Sequence, residues 1–320
     1  MKITVIVAAY NTEKYISECV DSVLIDNSND IELIVINDGS TDTTGLILDK
    51  VNDQRLKVLH TKNSGQSAAR NAGLSIATGE YIMFLDSDDK LEIGAISRIS
   101  SIIEKQKPDI IMFESKVFFE DDDLAYRFNP KYERNANLCD KLTSGVEFFK
   151  SAINAGNYIV NPCLYISSRK SLNDVTFNDG IIHEDNIFTT MLLLENEVTV
   201  YCINEKLHLR RIRHGSVMTQ RKGDAHLKGY YACIQELANN RPKNFPLVTK
   251  EYGKFLAHMV ECFKCTNNDI ISDLNNELSK SKSKDNEEID RLKNEILELK
   301  NSTSWRITRP LRKMMSLIKK

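Results

Sequence analysis

Residues 81–89 read Y-I-M-F-L-D-S-D-D, an apolar run of strand length that ends in carboxylates. Two earlier stretches have the same design: residues 3–11 read I-T-V-I-V-A-A-Y-N, and residues 31–40 read I-E-L-I-V-I-N-D-G-S. Runs that are apolar at nearly every position are typical of strands buried on both faces of a parallel sheet. Because segments with helical spacing separate these runs, they predict an α/β fold with a doubly wound, mostly parallel sheet flanked by helices. Ligands of such folds bind at the carboxyl ends of the strands.

The same pattern extends through the first third of the chain. Strands are predicted at Ile3–Ala9, Ile31–Ile36, Leu56–Leu59, Tyr81–Leu85 and Asp109–Phe113. The first helix carries Ile16, Val20 and Val23 at intervals of three and four residues, with Thr12 in the position of its N-cap. Further helices are expected to begin near Thr41, near Ser64 and after Leu91.

The middle of the chain is less regular. Residues 118–137 are polar and include the acidic run E-D-D-D, which predicts a loop at the domain edge. A polar stretch around His183 leads into an apolar helix, and short strands are expected at 198–201 and 206–209. Residues 223–268 have helical patterning throughout.

The C-terminal part has one thin apolar stripe, in which Ile289, Leu292, Ile296 and Leu299 recur at steps of three, four and three. This short heptad seam predicts either a homo-oligomer through residues 286–300 or a helix packed on its own domain. We therefore divide the chain into an α/β domain at 1–219, a helical subdomain at 220–268, a polar helix with a short heptad seam at 269–301 and a tail at 302–320.

The tail at 302–320 contains six basic residues and no acidic one, and apolar residues such as Trp305 and Leu311 lie between them. A basic amphipathic segment suits the surface of an anionic membrane, which we predict as a partner of the tail. A disordered basic end is the alternative.

The composition excludes several classes of protein. Of the 320 residues, 41% are hydrophobic and 28% charged, as in folded rather than disordered chains. Lys and Arg number 43 against 45 Asp and Glu, a net charge of -2, so no nucleic-acid partner is predicted. Since no run approaches the roughly 18 apolar residues of a membrane span and no cleavage segment follows the first strand, we expect a cytoplasmic protein.

Acidic residues follow two of the predicted strands. Asp38 could accept a hydrogen bond from a base or a ribose hydroxyl, although N-D-G-S is also an ordinary turn sequence. Asp86 and Asp88 would project into the crevice, where a hard divalent cation can bridge carboxylates to a diphosphate. An acidic cap on the helix after Leu91 is the alternative for this pair.

A third acidic group, Glu184 and Asp185, lies in the H-E-D-N sequence at the mouth of a helix. One carboxylate there could act as general base for an acceptor hydroxyl. An acidic helix N-terminus favoured by the helix dipole is an equal alternative.

These motifs together resemble the family 2 glycosyltransferases with a GT-A fold. The resemblance is carried by V-I-V-A-A-Y-N-T-E-K-Y-I at 5–16, I-V-I-N-D-G-S-T-D at 34–42, N-S-G-Q-S-A-A-R-N-A-G-L at 63–74 and G-E-Y-I-M-F-L-D-S-D-D at 79–89. The four motifs occur in the family's order, and H-E-D-N and R-I-R-H-G-S-V-M-T extend the match more loosely to Thr219.

The resemblance implies an inverting hexosyltransferase that moves a sugar from a nucleotide diphosphate, probably UDP, to an acceptor hydroxyl with Mn²⁺ or Mg²⁺. The acceptor would be a polysaccharide, such as capsule or O-antigen, or a lipid-linked glycan precursor. With the tail, this predicts a peripheral enzyme at the inner face of the cell membrane.

The family's site residues fall on definite positions of this sequence. The resemblance implies that Ala9, Tyr10 and Asp38 hold the nucleoside. Arg70 and Asp86 would face the nucleotide and the donor sugar, and Asp88, with Asp86, would bind the metal. Asp185 would be the base, with Glu184 beside it, and His214 would approach the diphosphate or metal unless it is a surface imidazole in a loop.

Two other classes of protein share features with this sequence. Haloacid-dehalogenase-like phosphotransferases also have D-x-D after a strand, but near the N-terminus and usually followed by x-Thr or x-Val, whereas Asp89-Lys90 follows here. A non-catalytic partner-binding module on the same fold would have lost either the metal carboxylates or the base, and this sequence has candidates for both.

Overall fold

The computed structural model describes residues 1–26, 30–173, 175–280 and 286–305. They form two compact units. The first comprises residues 1–180 and 188–220, and the second comprises residues 181–187 and the described residues from 221 onward. The chain therefore leaves the first unit for seven residues, 181–187, and then returns to it.

The described residues of the first unit alternate strands with helices along most of their length. These elements are β1 (Ile3–Ala9), α1 (Ile16–Leu24), β2 (Ile31–Asp38), α2 (Thr44–Leu48), β3 (Leu56–Thr61), α3 (Gln66–Ile76), β4 (Tyr81–Asp86), β5 (Lys90–Leu91), α4 (Ala95–Gln106), β6 (Ile110–Phe119), α5 (Asp122–Arg127), β7 (Leu142–Ser144), α6 (Gly145–Asn154), β8 (Tyr165–Ser168), α7 (Asp185–Leu194) and β9 (Thr199–Ile212). The first three residues of α7 belong to the second unit.

The second unit is helical. It contains α8 (Asp224–Asn239), α9 (Phe245–Lys280) and α10 (Asn286–Trp305). The backbone of α9 leaves helical geometry at Val248, where φ is -128°.

One mixed sheet organises the first unit, in the order β3-β2-β1-β4-β8-β6-β9-β5, with β7 paired to β9. The strands β3, β2, β1 and β4 are parallel to one another, whereas β8 runs antiparallel to β4 and β6. In register, Ala9 lies opposite Asn37 and Ala8 opposite Asp86. The predicted α/β fold with helices around a central sheet is confirmed. The polar residues at the ends of β1, β2 and β4 meet at one edge of the sheet, here called the carboxyl edge.

The uniformly apolar strands are buried as their sequences predict. Every residue of β2 is buried, and so are six of the seven residues of β1. Val5, Leu33 and Met83 pack in one hydrophobic cluster with Ile16 and Val20 of α1. Burying such side chains contributes about 1.5–3 kcal/mol each, which explains why these strands form the centre of the sheet.

Two details at the start of the chain and after β6 differ from expectation. Thr12 does not cap α1 through its side chain, which has no hydrogen-bond partner; instead its carbonyl accepts from the N–H groups of Tyr15 and Ile16. Residues 118–137 are not simply a loop, because β6 continues to Phe119 and α5 follows. The Asp121 carboxylate caps α5 by accepting from the N–H of Leu124, so the acidic run serves a helix N-terminus.

The two short strands expected at 198–201 and 206–209 are one strand, β9. The polar residues between them lie within that strand. A shift of register on β6 at Met112 and Glu114 accommodates the irregularity, so β9 pairs with β6 along most of its length.

The predicted heptad seam packs within the chain. Leu292 and Ile296 of α10 form a small buried cluster with Leu274 of α9, and Leu299 packs against it. This packing agrees with the second of the two alternatives, a helix packed on its own domain. Self-association through residues 286–300 stays a prediction. Of the predicted tail, 306–320 lie outside the described residues, and none of the helices described is long and apolar enough to cross a membrane.

A buried carboxylate, Glu32, ties the amino ends of three strands together. It accepts hydrogen bonds from Thr4 Oγ1 at 2.6 Å and from the N–H of Thr78 at 2.7 Å, and it pairs with Lys57 Nζ at 2.7 Å. Burial alone would raise the pKa of Glu32, but these donors outweigh it and lower the pKa to about 2. The folded state therefore holds Glu32 ionised at an edge of the sheet opposite the carboxyl edge.

We predict that Glu32→Gln lowers the free energy of unfolding by about 2–3 kcal/mol at neutral pH. A carboxylate whose pKa is lower in the folded state stabilises the fold fully only above its pKa in the unfolded chain, 4.5. The difference in unfolding free energy between wild type and variant should therefore shrink as the pH falls from 4.5 to about 2. Urea unfolding of both proteins across this pH range measures this difference. Glu104→Gln, at an exposed position of α4, is the matched control. A difference that did not change with pH would contradict the prediction.

Candidate functional site

The turn after β2 is built around Asp38, which is only 3% exposed. Its two oxygens accept hydrogen bonds from the N–H groups of Ser64 and Gly65, both at 2.8 Å. Gly39 has a φ of +69°, and a Cβ there would lie 2.6 Å from the backbone nitrogen of Asn63. Only glycine allows the two loops to approach this closely, so Asp38 and Gly39 together fix the loop that leads into α3.

The loop after β1 completes this corner of the carboxyl edge. Ala9 is buried, whereas the Tyr10 ring is 48% exposed. The next residue, Asn11, has a φ of +51°, and its Oδ1 accepts from the N–H of Thr41 at 2.8 Å. The loops after β1 and β2 are thus joined, and Tyr10 stands in front of them as an accessible aromatic surface.

Asp86, the last residue of β4, is held from α3. Arg70 Nη2 lies 2.8 Å from Asp86 Oδ1, and Gln66 Nε2 donates to the same oxygen at 3.0 Å. The Arg70 side chain is itself buried, and its guanidinium lies 5.1 Å from the centre of the Phe177 ring. Burial alone would raise the pKa of Asp86, but the positive charges of Arg70 and Arg210 outweigh it and hold the pKa below its ordinary value.

Asp88 is held from the other side, by the end of β9. Its Oδ2 lies 2.6 Å from Arg213 Nε. Burial and the negative charges of Asp89 and Asp86 raise the pKa of Asp88 above its ordinary value, although Arg213 partly offsets them. The group is therefore one where additional positive charge is favourable.

The pairing of β5 with β9 brings the arginines to this place. Lys90 lies opposite Leu209 in an antiparallel pair, so the residues after Leu209 run back beside the D-S-D-D sequence. The N–H of Arg211 donates to Asp89 Oδ1 at 2.7 Å, and Arg211 Nε donates to the carbonyl of Asp88 at 2.9 Å. Its guanidinium also lies over the rings of Tyr15 and Phe118, 4.8 and 4.6 Å from their centres.

Sequence reasoning missed these arginines. Arg211 and Arg213 were interpreted only as part of a family motif, in which His214 alone received a role, and Arg210 lies just before that motif. A basic run at the end of a strand is a visible signal of an anion-binding surface. Asp89 and Gln66 were missed as well, because neither stands out in its motif.

His214 contacts the acidic run after β6. Its Nε2 lies 2.6 Å from Asp121 Oδ2, and its N–H donates to Glu120 Oε2 at 3.2 Å. Glu120 also accepts from the Tyr15 hydroxyl at 2.7 Å. A role of His214 at the diphosphate or metal stays a prediction, while the side chain of the neighbouring Arg213 lies against the Asp88 carboxylate.

The carboxylates of the D-S-D-D turn fit a hard divalent cation. Asp86, Asp88 and Asp89 cluster at one strand end, where burial, together with the negative charges of the other two, raises the pKa of Asp88. Among the described residues, no group of three or more His, Cys, Asp or Glu side chains is arranged to hold a metal ion. Mg²⁺ needs no such cage when one or two carboxylates and the phosphates of a substrate bind it together.

The two candidate bases belong to the second unit. Glu184 is buried, and Asp185 is the first residue of α7. Asp185 Oδ1 accepts from the N–H and from the side-chain Nδ2 of Asn186, both at 3.0 Å. The preceding residue, His183, has a pKa lowered to about 4 by burial and by the charges of His226 and Lys222, so it is neutral at physiological pH.

A family model, related sequences and a solved structure agree on the family of this chain. The family model described as Glycosyl transferase family 2 matches residues 4–159. The glycosyltransferase GlyG of Streptococcus pneumoniae is 32% identical over 225 residues, which cover 68% of this chain and 72% of GlyG. GlyA of the same organism is 32% identical over 224 residues, but the match spans only 31% of its length.

A solved structure extends the likeness to the fold. The crystal structure of S. aureus TarS 1-349 in complex with UDP-GlcNAc is 25% identical, with a TM-score of 0.63 over 80% of this chain and 72% of that one. With acidic strand ends gathered at the carboxyl edge, a family model that matches residues 4–159 and a relative 32% identical over 68% of this sequence, this chain belongs to glycosyl transferase family 2 and has the GT-A fold.

Proposed function

We propose that this chain is an inverting glycosyltransferase that moves a sugar from UDP to a hydroxyl of a polysaccharide or lipid-linked glycan precursor. The observation that carries the proposal is the charge arrangement at the carboxyl edge, where the half-buried Asp86 and Asp88 and the buried Asp89 each contact an arginine from α3 or β9. TarS, to which the chain is similar, was solved with UDP-GlcNAc. Neither the family match nor the relatives favour a haloacid-dehalogenase-like phosphotransferase.

The nucleoside of the donor would bind where the loops after β1 and β2 meet. Tyr10 offers an exposed aromatic ring against which a base can stack. Asp38 already accepts two backbone hydrogen bonds, and its carboxylate has lone pairs left for the base or ribose. Ala9 would contribute through its backbone, because its side chain is buried.

The diphosphate would bind between the arginines and the D-S-D-D turn. Arg70 and Arg213 are each paired with a carboxylate, so both charges are already in place before any ligand binds. Asp88, with Asp86, would hold Mn²⁺ or Mg²⁺, and the ion would supply positive charge to stabilise the diphosphate. Preorganised charges of this kind lower a barrier because they need not reorganise during the reaction.

Asp185 would act as the general base. Its carboxylate would take the proton of the acceptor hydroxyl as that oxygen attacks the anomeric carbon from the face opposite the diphosphate, which inverts the configuration. Its place at the start of α7 and its hydrogen bonds to Asn186 hold the carboxylate in a defined orientation. Glu184, directly before it, is buried and would support the same segment.

A panel of UDP- and GDP-sugars tests the donor and the metal together. We expect release of UDP from at least one UDP-sugar with Mn²⁺ and none with EDTA. Because Asp88 would be a direct ligand, Asp88→Asn should weaken Mn²⁺ binding, measured by calorimetry, by at least about tenfold. Asp123→Asn, at an exposed position of α5, should leave Mn²⁺ affinity unchanged. Release of inorganic phosphate from simple phosphate esters would instead indicate a phosphatase.

Asp185→Asn should reduce the rate of UDP release by about 10²–10⁴-fold, the usual contribution of a general base. The affinity for UDP, measured by calorimetry, should stay within about twofold of wild type, because the side chain is proposed to act on the acceptor side. An equal loss of UDP affinity and rate would assign Asp185 to donor binding or to structure.

The tail is proposed to hold the enzyme at the inner face of the membrane. Deleting residues 302–320 removes six positive charges, each worth about 1 kcal/mol near an anionic surface. Cosedimentation with phosphatidylserine vesicles should fall by more than about tenfold, and phosphatidylcholine vesicles, which carry no net charge, serve as the control. Equal cosedimentation of the full and shortened chains would rule out this role.

A further inference from the structure

We propose that helix α8 positions the catalytic base, and that Gly229 and Cys233 are positioning residues for Asp185. The inference rests on the proposed function, which makes Asp185 the base. It adds that the short segment 181–187, although it lies between two parts of the α/β unit in sequence, depends for its shape on a helix that begins at Asp224.

The backbone of this segment has an unusual conformation directly before the acidic pair. His183 has a φ of +70°, in the left-handed region that residues with a Cβ rarely adopt. Such a conformation persists only where the surroundings stabilise it. The contacts that do so come from α8.

The His183 side chain is fixed against two residues of α8. Its ring stacks on Tyr230, with 3.9 Å between ring centres and planes 13° apart. Its Nε2 lies 3.1 Å from Nδ1 of His226, within hydrogen-bond distance. Both partners are one helical turn apart on α8, so a single face of the helix holds the ring.

The His183 carbonyl links α8 to the base. Cys233 Sγ donates to this oxygen at 3.1 Å, and Asn186 Nδ2 donates to it at 3.1 Å. Asn186 Nδ2 also donates to Asp185 Oδ1 at 3.0 Å. A continuous chain of contacts therefore runs from Cys233 through His183 and Asn186 to the carboxylate.

Gly229 sets how closely the helix approaches. A Cβ at this position would lie 2.4 Å from the carbonyl oxygen of Ile182, the residue before His183. Real Cβ atoms do not come this close to a backbone oxygen, so any side chain would displace the segment from the helix. A displacement of about 1 Å at a reacting group can reduce a rate by about 10²-fold.

Gly229→Ala and Cys233→Ala test the inference, with UDP release from the UDP-sugar of the panel as the rate. Gly223→Ala is the matched control, because it lies next to the same helix and a Cβ there meets nothing within 4 Å. We expect a 10- to 100-fold lower rate in Gly229→Ala with an unchanged UDP affinity, and a wild-type rate in Gly223→Ala. Cys233→Ala should lower the rate, and Cys233→Ser, which keeps a donor to the His183 carbonyl, should restore most of it.

Thermal unfolding and UDP affinity show whether each variant is folded. If Gly229→Ala does not fold, the Cys233 pair decides: loss in the alanine variant with recovery in the serine variant supports the inference, and a wild-type rate in Cys233→Ala overturns it. Parallel losses of rate and UDP affinity would also overturn it.

Asp185→Asn, measured alongside, separates this inference from the proposed function. An inactive Asp185→Asn together with fully active Gly229→Ala and Cys233→Ala would leave the base in place and remove only the role of α8. A fully active Asp185→Asn would remove the base and the positioning role together.

Discussion

The carboxyl edge of the sheet must hold several carboxylates close together without letting them repel one another into another conformation. Asp86, Asp88 and Asp89 meet this constraint because each has its own partner: Arg70 for the first, Arg213 for the second and the backbone of Arg211 for the third. A strand end that carried the acids alone would lower their charge by taking up protons. The architecture around β4 can therefore be understood as the arrangement that supplies this cluster with positive charge and orients its side chains.

Much of the fold could be predicted from the sequence, and the reasons are physical. β1 and β2 are apolar at nearly every position, so their burial leaves little choice of structure, and the predicted starts of both strands agree with the observed ones. β9 was harder, since polar residues interrupt its pattern and its pairing with β6 contains an irregularity. The cap of α5, a local hydrogen bond from the N–H of Leu124 to the Asp121 carboxylate, was also missed, because the acidic run was interpreted as part of a loop.

Some residues of the candidate site could also be predicted from the sequence, and others could not. Asp38, Arg70, Asp86 and Asp88 lie in motifs close to strands that sequence alone locates, and the structure brings them to one edge of the sheet. Arg211 and Asp89 are 122 residues apart in the chain, so their contact depends on the pairing of β5 with β9, which no local pattern encodes. Gly229 has no side chain that could suggest a role from sequence. Its importance follows only from the structure, which places the carbonyl oxygen of Ile182 close to it.

The excursion of residues 181–187 into the helical unit has a consequence for how the molecule is made. A ribosome releases the chain from its N-terminus, and domains generally fold as they emerge. Residues 1–180 already contain the parallel strands and the D-S-D-D turn, whereas the segment with Glu184 and Asp185 gains its supporting helix only after residue 239 has left the exit tunnel. During synthesis the nascent protein is thus expected to form the corner proposed for the nucleoside first, to gain the arginines of β9 next, and to gain the helix that supports the proposed base last. Incomplete chains would therefore not consume sugar donors.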